Sequence, residues 1–262
     1  MLKMSSGARG EEMTDRVPSK HNTYFDVLDA CKEGGCSLCT LALAGVAHYL
    51  DAIFYENVND PPTREAVMEA WGYCNDHSWQ LHGRGAGLGS AIMYRDVLRQ
   101  AREAIARQST GKERPMIPER RQDGTLRGRL TALVAGTDSA DGGRGISDPH
   151  IGCPACLMRE RTELVFLAVL LEHILEEPMA TAFEASGGLC LVHLDQALGL
   201  ADDNGGLQRL LTIQGEQLQL LDHALSEFLR KHDYRFKDEE MGTDGDSWIR
   251  AIALVAGKPG IR

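Results

Sequence analysis

Six of the seven cysteines in this 262-residue chain fall into two sets that repeat each other. One set runs from Cys36-Ser37-Leu38-Cys39 to Cys74-Asn75-Asp76-His77, the other from Cys153-Pro154-Ala155-Cys156 to Cys190-Leu191-Val192-His193. The corresponding positions, Cys36/Cys153, Cys39/Cys156, Cys74/Cys190 and His77/His193, are offset by 117, 117, 116 and 116 residues. A duplication followed by one deletion accounts for both the recurrence and the slip. Whatever fold the chain adopts must therefore accommodate the same ligand-bearing unit twice, and only Cys31 stands outside the two sets.

Thiolate and imidazole are the donors that a borderline-soft divalent cation prefers, and three cysteines plus one histidine fill four tetrahedral positions with none left open. Each half is thus expected to close its own Cys3His site: Cys36, Cys39, Cys74 and His77 in the first, Cys153, Cys156, Cys190 and His193 in the second. In each, a pair of ligands opening one helix would be clipped to a pair on another helix. Two zinc ions are the expected cofactors. An iron-sulfur cluster on the same ligands is the alternative, because three cysteines and a histidine can hold one as well. A thioredoxin-like use of the Cys-x-x-Cys pairs lacks its βαβ context, and covalent haem attachment needs a histidine where Thr40 and Leu157 stand.

Around these ligands the apolar residues recur at helical spacing. Tyr24, Phe25, Val27 and Leu28 predict a short helix ended by Gly34-Gly35, and Leu41, Val46, Leu50 and Phe54 predict a longer one ending between Asn57 and Pro61. Thr63 is placed to cap a helix that carries Val67, Met68 and Trp71 on to Cys74 and His77. Ile92 to Ile105 forms the next. The second half repeats the plan with helices over Leu157–Glu177, from Pro178 through Cys190 and His193, and over residues 206–230, before a last helix from Trp248 to Val255. No stretch reads as a strand. The expected fold is all-α, with two tandem pseudo-repeated three-helix modules: a disordered leader over 1–21, a first metal-binding module over 22–108, a glycine-, proline- and charge-rich linker over 109–149, and a second module with the C-terminal helix over 150–257.

The formal net charge of −10 speaks against a general attraction to nucleic acid or anionic membranes. No run of about 18 uncharged apolar residues occurs, and the polar N-terminus lacks the apolar core of a secretory signal. A soluble, cytoplasmic protein is expected, and in that reducing compartment paired cysteines are ligands rather than disulfides. The alternating glycines from Gly83 to Gly89 lack the preceding strand of a dinucleotide loop. No Ser/His/Asp grouping, phosphate loop or carboxylate pair can be argued from the sequence, so no catalytic residue is assigned.

Tyr24-Phe25-Asp26-Val27-Leu28, Tyr55-Glu56-Asn57-Val58-Asn59-Asp60-Pro61, Arg64, Gly72-Tyr73-Cys74 with His77, and the Trp248 helix together resemble an uncharacterised prokaryotic family. Its members, catalogued only as a domain of unknown function, carry duplicated Cys-Pro-x-Cys and Gly-Phe-Cys-x-x-His modules. The resemblance extends from about residue 22 to residue 257. Ser37 stands in place of the proline of the first pair, and Tyr73 and Leu189 in place of the phenylalanine before the third cysteine; no ligand is lost. The resemblance implies metal binding and no known reaction. Function is therefore expected to be that of a zinc-binding helical protein with structural metal sites and a partner-binding or regulatory role, the alternative being an iron-sulfur redox or sensor protein on the same ligands; no catalytic constellation is identified. A metalloenzyme would need His77 or His193 to act as a displaceable ligand.

Overall fold

The computed structural model describes residues 21–85, 87–109, 152–200, 205–236 and 238–261, and all regular structure among them is helical. The expected leader and linker lie almost wholly outside the described residues. Helix α1 spans Asn22–Lys32. Helix α2 spans Ser37–Ala52 and continues as a π turn over Ile53–Asn57. There follow α3 (Pro61–Glu69), α4 (Asn75–Gly83) and α5 (Gly87–Ser109). The second half has α6 (Pro154–His173), α7 (Glu177–Ser186), α8 (Leu191–Leu200), α9 (Gly205–Lys231) and α10 (Ser247–Ala256).

Two expected helices, Thr63 to His77 and Pro178 to His193, are each two. The stretch from Thr63 to His77 breaks after Glu69, because Trp71 and Gly72 take left-handed backbone angles, φ 58° and 101°. A right-handed helix cannot pass through such residues. The equivalent break between α7 and α8 falls on Gly187 and Gly188, at φ 92° and 85°. The cap also differs from expectation: Asp60, not Thr63, caps α3, its carboxylate accepting from the Thr63 amide at 3.0 Å and hydroxyl at 2.7 Å. Asp60 leads because Pro61 then occupies the first helical position, where no N–H is needed.

The largest helix–helix interface joins α2 to α6, one from each half. The pair is antiparallel: Tyr49, near the end of α2, lies by Cys153 at the start of α6, and the start of α2 lies by the residues that follow α6. At its centre a Cβ on Gly45 would stand 3.0 Å from Oγ1 of Thr162 and 3.1 Å from its Cγ2. Gly45 and Thr162 are 117 residues apart, the offset of the duplication itself. Equivalent residues that face each other define a pseudo-twofold axis, as in an isologous dimer interface. The duplicated halves are thus packed as two subunits fused into one chain.

On either side of that axis lies an apolar cluster with members from both halves. One joins Val27, Leu38 and Ala42 to Leu170, Phe183, Leu189 and Ile213; the other joins Val46, Leu50, Ile53, Val67 and Met93 to Cys153 and Ala155. Burying each large side chain contributes about 1.5–3 kcal/mol, so packing rather than intrinsic propensity holds α2. By length and composition, Ser37–Asn57 could also span a bilayer. Its face of Leu38, Ala42, Val46, Leu50 and Ile53 is buried within the protein. Helix α3 is tied to α5 by Arg64, whose Nε donates to the buried Asp96 carboxylate at 3.0 Å, while Arg99 approaches its other oxygen. On α5, Met93 and Val97 are buried, whereas Leu98 and Ile105 are exposed.

Replacing Gly45 with leucine forces a bulky side chain onto Thr162 at the pseudo-twofold axis. Stability by urea denaturation is expected to fall by about 1–3 kcal/mol, with partial recovery when Thr162→Ala is added.

Candidate metal centres

Every ligand pair occupies the same two places on a helix. Cys36, Cys74 and Cys153 are the N-cap residues of α2, α4 and α6. Cys190 immediately precedes α8, and its carbonyl accepts the helical bond from the Leu194 amide at 2.9 Å. The partner ligands Cys39, His77, Cys156 and His193 come three residues later, in the first turn. A helix start offers amide groups with no helical acceptor and the positive end of the macrodipole, both of which favour a thiolate. The backbone N–H groups of His77, Cys156 and His193 bear in this way on the sulfurs of Cys74, Cys153 and Cys190.

The eight expected residues come together, all buried, in two groups of three cysteines and one histidine. Membership differs from the expected within-half sets. One centre is Cys36, Cys39, Cys190 and His193; the other is Cys74, His77, Cys153 and Cys156, and within each the donor atoms lie within 4.8 Å of one another. The exchange follows from the antiparallel α2–α6 pair: the start of each helix meets the α3–α4 or α7–α8 turn that follows the end of the other. Each half keeps one pair of ligands in each centre.

Nδ1 is the histidine donor in both. In the first centre, His193 Nδ1 lies 3.3 Å from Cys36 Sγ, 3.5 Å from Cys39 and 3.2 Å from Cys190, while Cys39 and Cys190 are 3.7 Å apart. In the second, His77 Nδ1 lies 3.1 Å from Cys74, 3.5 Å from Cys153 and 3.4 Å from Cys156, and Cys74 and Cys156 are 3.7 Å apart.

Thiols this close cannot all ionise without a cation among them. Hydrogen bonds from Cys36 and Cys39 drive Cys190 far below the ordinary thiol range, while the same contacts with Cys190 and Cys39 push Cys36 up. Around the second centre the Cys156 hydrogen bond holds Cys153 down to about 3, and Cys156 is raised in turn. Burial alone would lower His193, but hydrogen bonds to Cys190 and Cys39 and the neighbouring Glu163 carboxylate raise it to about 11. An imidazolium beside a thiolate is the arrangement that displacement of protons by a metal cation resolves.

The surroundings distinguish the two centres. Behind His193, Glu163 of α6 is 3% exposed, with Oε1 3.4 Å from Nε2. Gln196 Nε2 donates to the other carboxylate oxygen at 2.8 Å, and Arg159 Nε stands 3.3 Å from Oε1. Burial would raise the pKa of this carboxyl, but the adjacent His193 imidazole and the Gln196 hydrogen bond hold it below the usual range. A carboxylate behind a ligating imidazole fixes the ring and raises its basicity. The C-terminal segment covers the same centre: the Lys258 amide donates to Cys39 Sγ at 3.5 Å, and Arg159 donates to the Ile261 carbonyl. The second centre has instead a tyrosine group, with Tyr49 and Tyr73 near Cys153, and Tyr94 bonded to Ser78 at 2.8 Å. Sequence reasoning missed Glu163, Arg159 and the Gly257-Lys258 cover. The available signal was a carboxylate immediately before the most apolar run, Leu164–Leu171.

The model of the family of unknown function DUF6062 matches residues 20–260. The chain belongs to this family. A relative from Caldicellulosiruptor sp. (strain Rt8B.4), the "Uncharacterized 23.9 kDa protein in xynA 3'region", is 22% identical over 233 residues, covering 88% of this chain and 99% of the relative. No solved structure matches. Family membership thus agrees with the resemblance drawn from the Cys and His modules and assigns no reaction.

Gly257 sits at φ 82° and ψ −179°, a region reserved for glycine, and a Cβ there would stand 3.3 Å from Cys39 Sγ. Gly257→Ala is expected to reduce stability by about 1–3 kcal/mol in denaturant titration and to expose the C-terminal segment to limited proteolysis.

Proposed function

We propose that this protein is a zinc-stapled helical scaffold: each centre binds one zinc ion, and each ion joins a helix start from one half to a helix start from the other. The observation that carries the reading is the spacing of the donors. Four donors placed tetrahedrally on one zinc, with Zn–S about 2.3 Å and Zn–N about 2.0–2.1 Å, stand about 3.8 Å apart sulfur to sulfur and about 3.5 Å sulfur to nitrogen. The observed 3.7 Å between sulfurs and 3.1–3.5 Å from sulfur to Nδ1 support a single ion in each centre. In a multi-iron cluster the four ligands divide among two or four irons, which spreads those on different irons well beyond that spacing, whereas all four donors here lie within 4.8 Å of one another.

A closed four-donor set leaves no position for substrate, which supports a structural task for the ions. The protein's own task is then to bind a protein partner in a regulatory role. Exposed Trp248, Ile249, Ile252 and Val255 on α10 support that reading, being large apolar side chains on one short helix.

Elemental analysis of protein purified from unsupplemented cells is expected to give about two zinc per chain. Chelation should lower the melting temperature and release both ions. A brown, iron-loaded protein whose visible absorption bleaches on reduction would assign the iron-sulfur alternative instead, and recovery of neither metal would refute both.

A further inference from the structure

Beside the first centre lies a cavity of about 160 Å³ that the scaffold reading does not use. Buried Cys36 and Cys190 line it, with Leu221, Ala253 and Leu254 among its apolar residues and Arg250 and Lys258 among its polar ones. Its polar side chains include both of these cations and no carboxylate, in a chain whose acids outnumber its bases by ten. We propose that this cavity binds a small amphipathic carboxylate, its hydrocarbon tail against α9 and α10 and its head group at Arg250 and Lys258.

Size, charge and available hydrogen bonds agree on this class of ligand. A dry cavity of about 150 Å³ holds a benzene-sized molecule, which sets the tail at about six carbons. The side chain of Arg250 is 46% exposed, whereas Cys190 is 1% exposed, so the guanidinium marks the open side and the thiol the closed one. Five N–H groups belong to a guanidinium, and here Asp246 takes Nε at 2.9 Å while the Thr243 carbonyl takes Nη2 at 2.8 Å. The Asp246 pair is solvent-exposed, at 63% for the carboxylate, and such pairs are weak. Lys258 gives one of its three N–H groups to Thr40 Oγ1 at 2.5 Å. Both cations therefore retain donors for an incoming carboxylate. Backbone conformation keeps the wall bare: Gly187, at φ 92°, would meet nothing within 4 Å if it carried a Cβ.

Hexanoate is the probe and 1-hexanol, with the same chain length and no charge, is its control. Isothermal titration of the full chain, with metal content measured on each sample, is expected to show one saturable hexanoate site and markedly weaker hexanol binding. Arg250→Gln is expected to weaken hexanoate about tenfold through loss of a charge-assisted contact. Ala253→Leu, which fills the cavity from α10, is expected to abolish binding while leaving metal content unchanged. No saturable binding, equal binding of hexanoate and hexanol, or full affinity in Ala253→Leu overturns the proposal. Because zinc content is read separately, loss of the ligand site and loss of the metal reading give different results.

Discussion

The antiparallel contact of α2 with α6 fixes everything else. Its centre is a glycine facing the threonine that duplication placed at the same position of the other half, so the helices approach closely and align about a pseudo-twofold axis. Once two equivalent helices lie antiparallel, the start of each must neighbour the turn beyond the end of its partner. Both ligand groups and both apolar clusters follow from that one geometric constraint.

The placement of the donors shows how economically a helix start can serve as a ligand platform. One cysteine at the N-cap and a second donor three residues on put two side chains on the same side of the first turn. The dipole and the unbonded amides of that turn favour the charged sulfur. Two such starts converge on each centre. With one zinc ion bound, as proposed, three thiolates would leave one net negative charge, which the helix ends are placed to offset. The centres are nevertheless unequal: Glu163, Gln196 and Arg159 brace His193, and the C-terminal segment covers its cysteines, whereas tyrosines border Cys153.

Much of this was legible in the sequence. The all-helical class followed from the spacing of apolar residues, and the eight residues that cluster were singled out by the repeated Cys and His pattern, because ligand chemistry restricts residue type whatever the fold. The pairing of the donors was not legible. A set of four contiguous in sequence and a set exchanged between halves contain the same residues in the same spacing, and only the packing of Gly45 on Thr162 separates them. Neither helix break is evident from apolar spacing: Trp71 gives no sign of its left-handed conformation, and the spacing runs on across Gly187-Gly188, where glycine permits one. Glu163 was hidden for a related reason: its partner His193 is 30 residues away along the chain.

The exchanged pairing is tested most directly by metal stoichiometry in two fourfold variants. One replaces Cys36, Cys39, Cys190 and His193 and so removes a single centre as the structure draws it; about one zinc per chain should remain. The other replaces Cys36, Cys39, Cys74 and His77, all from the first half, and leaves each centre with only two donors; no tightly bound zinc should remain. The reverse result, with no zinc in the former variant and one in the latter, would show that each half closes its own site and would contradict the account.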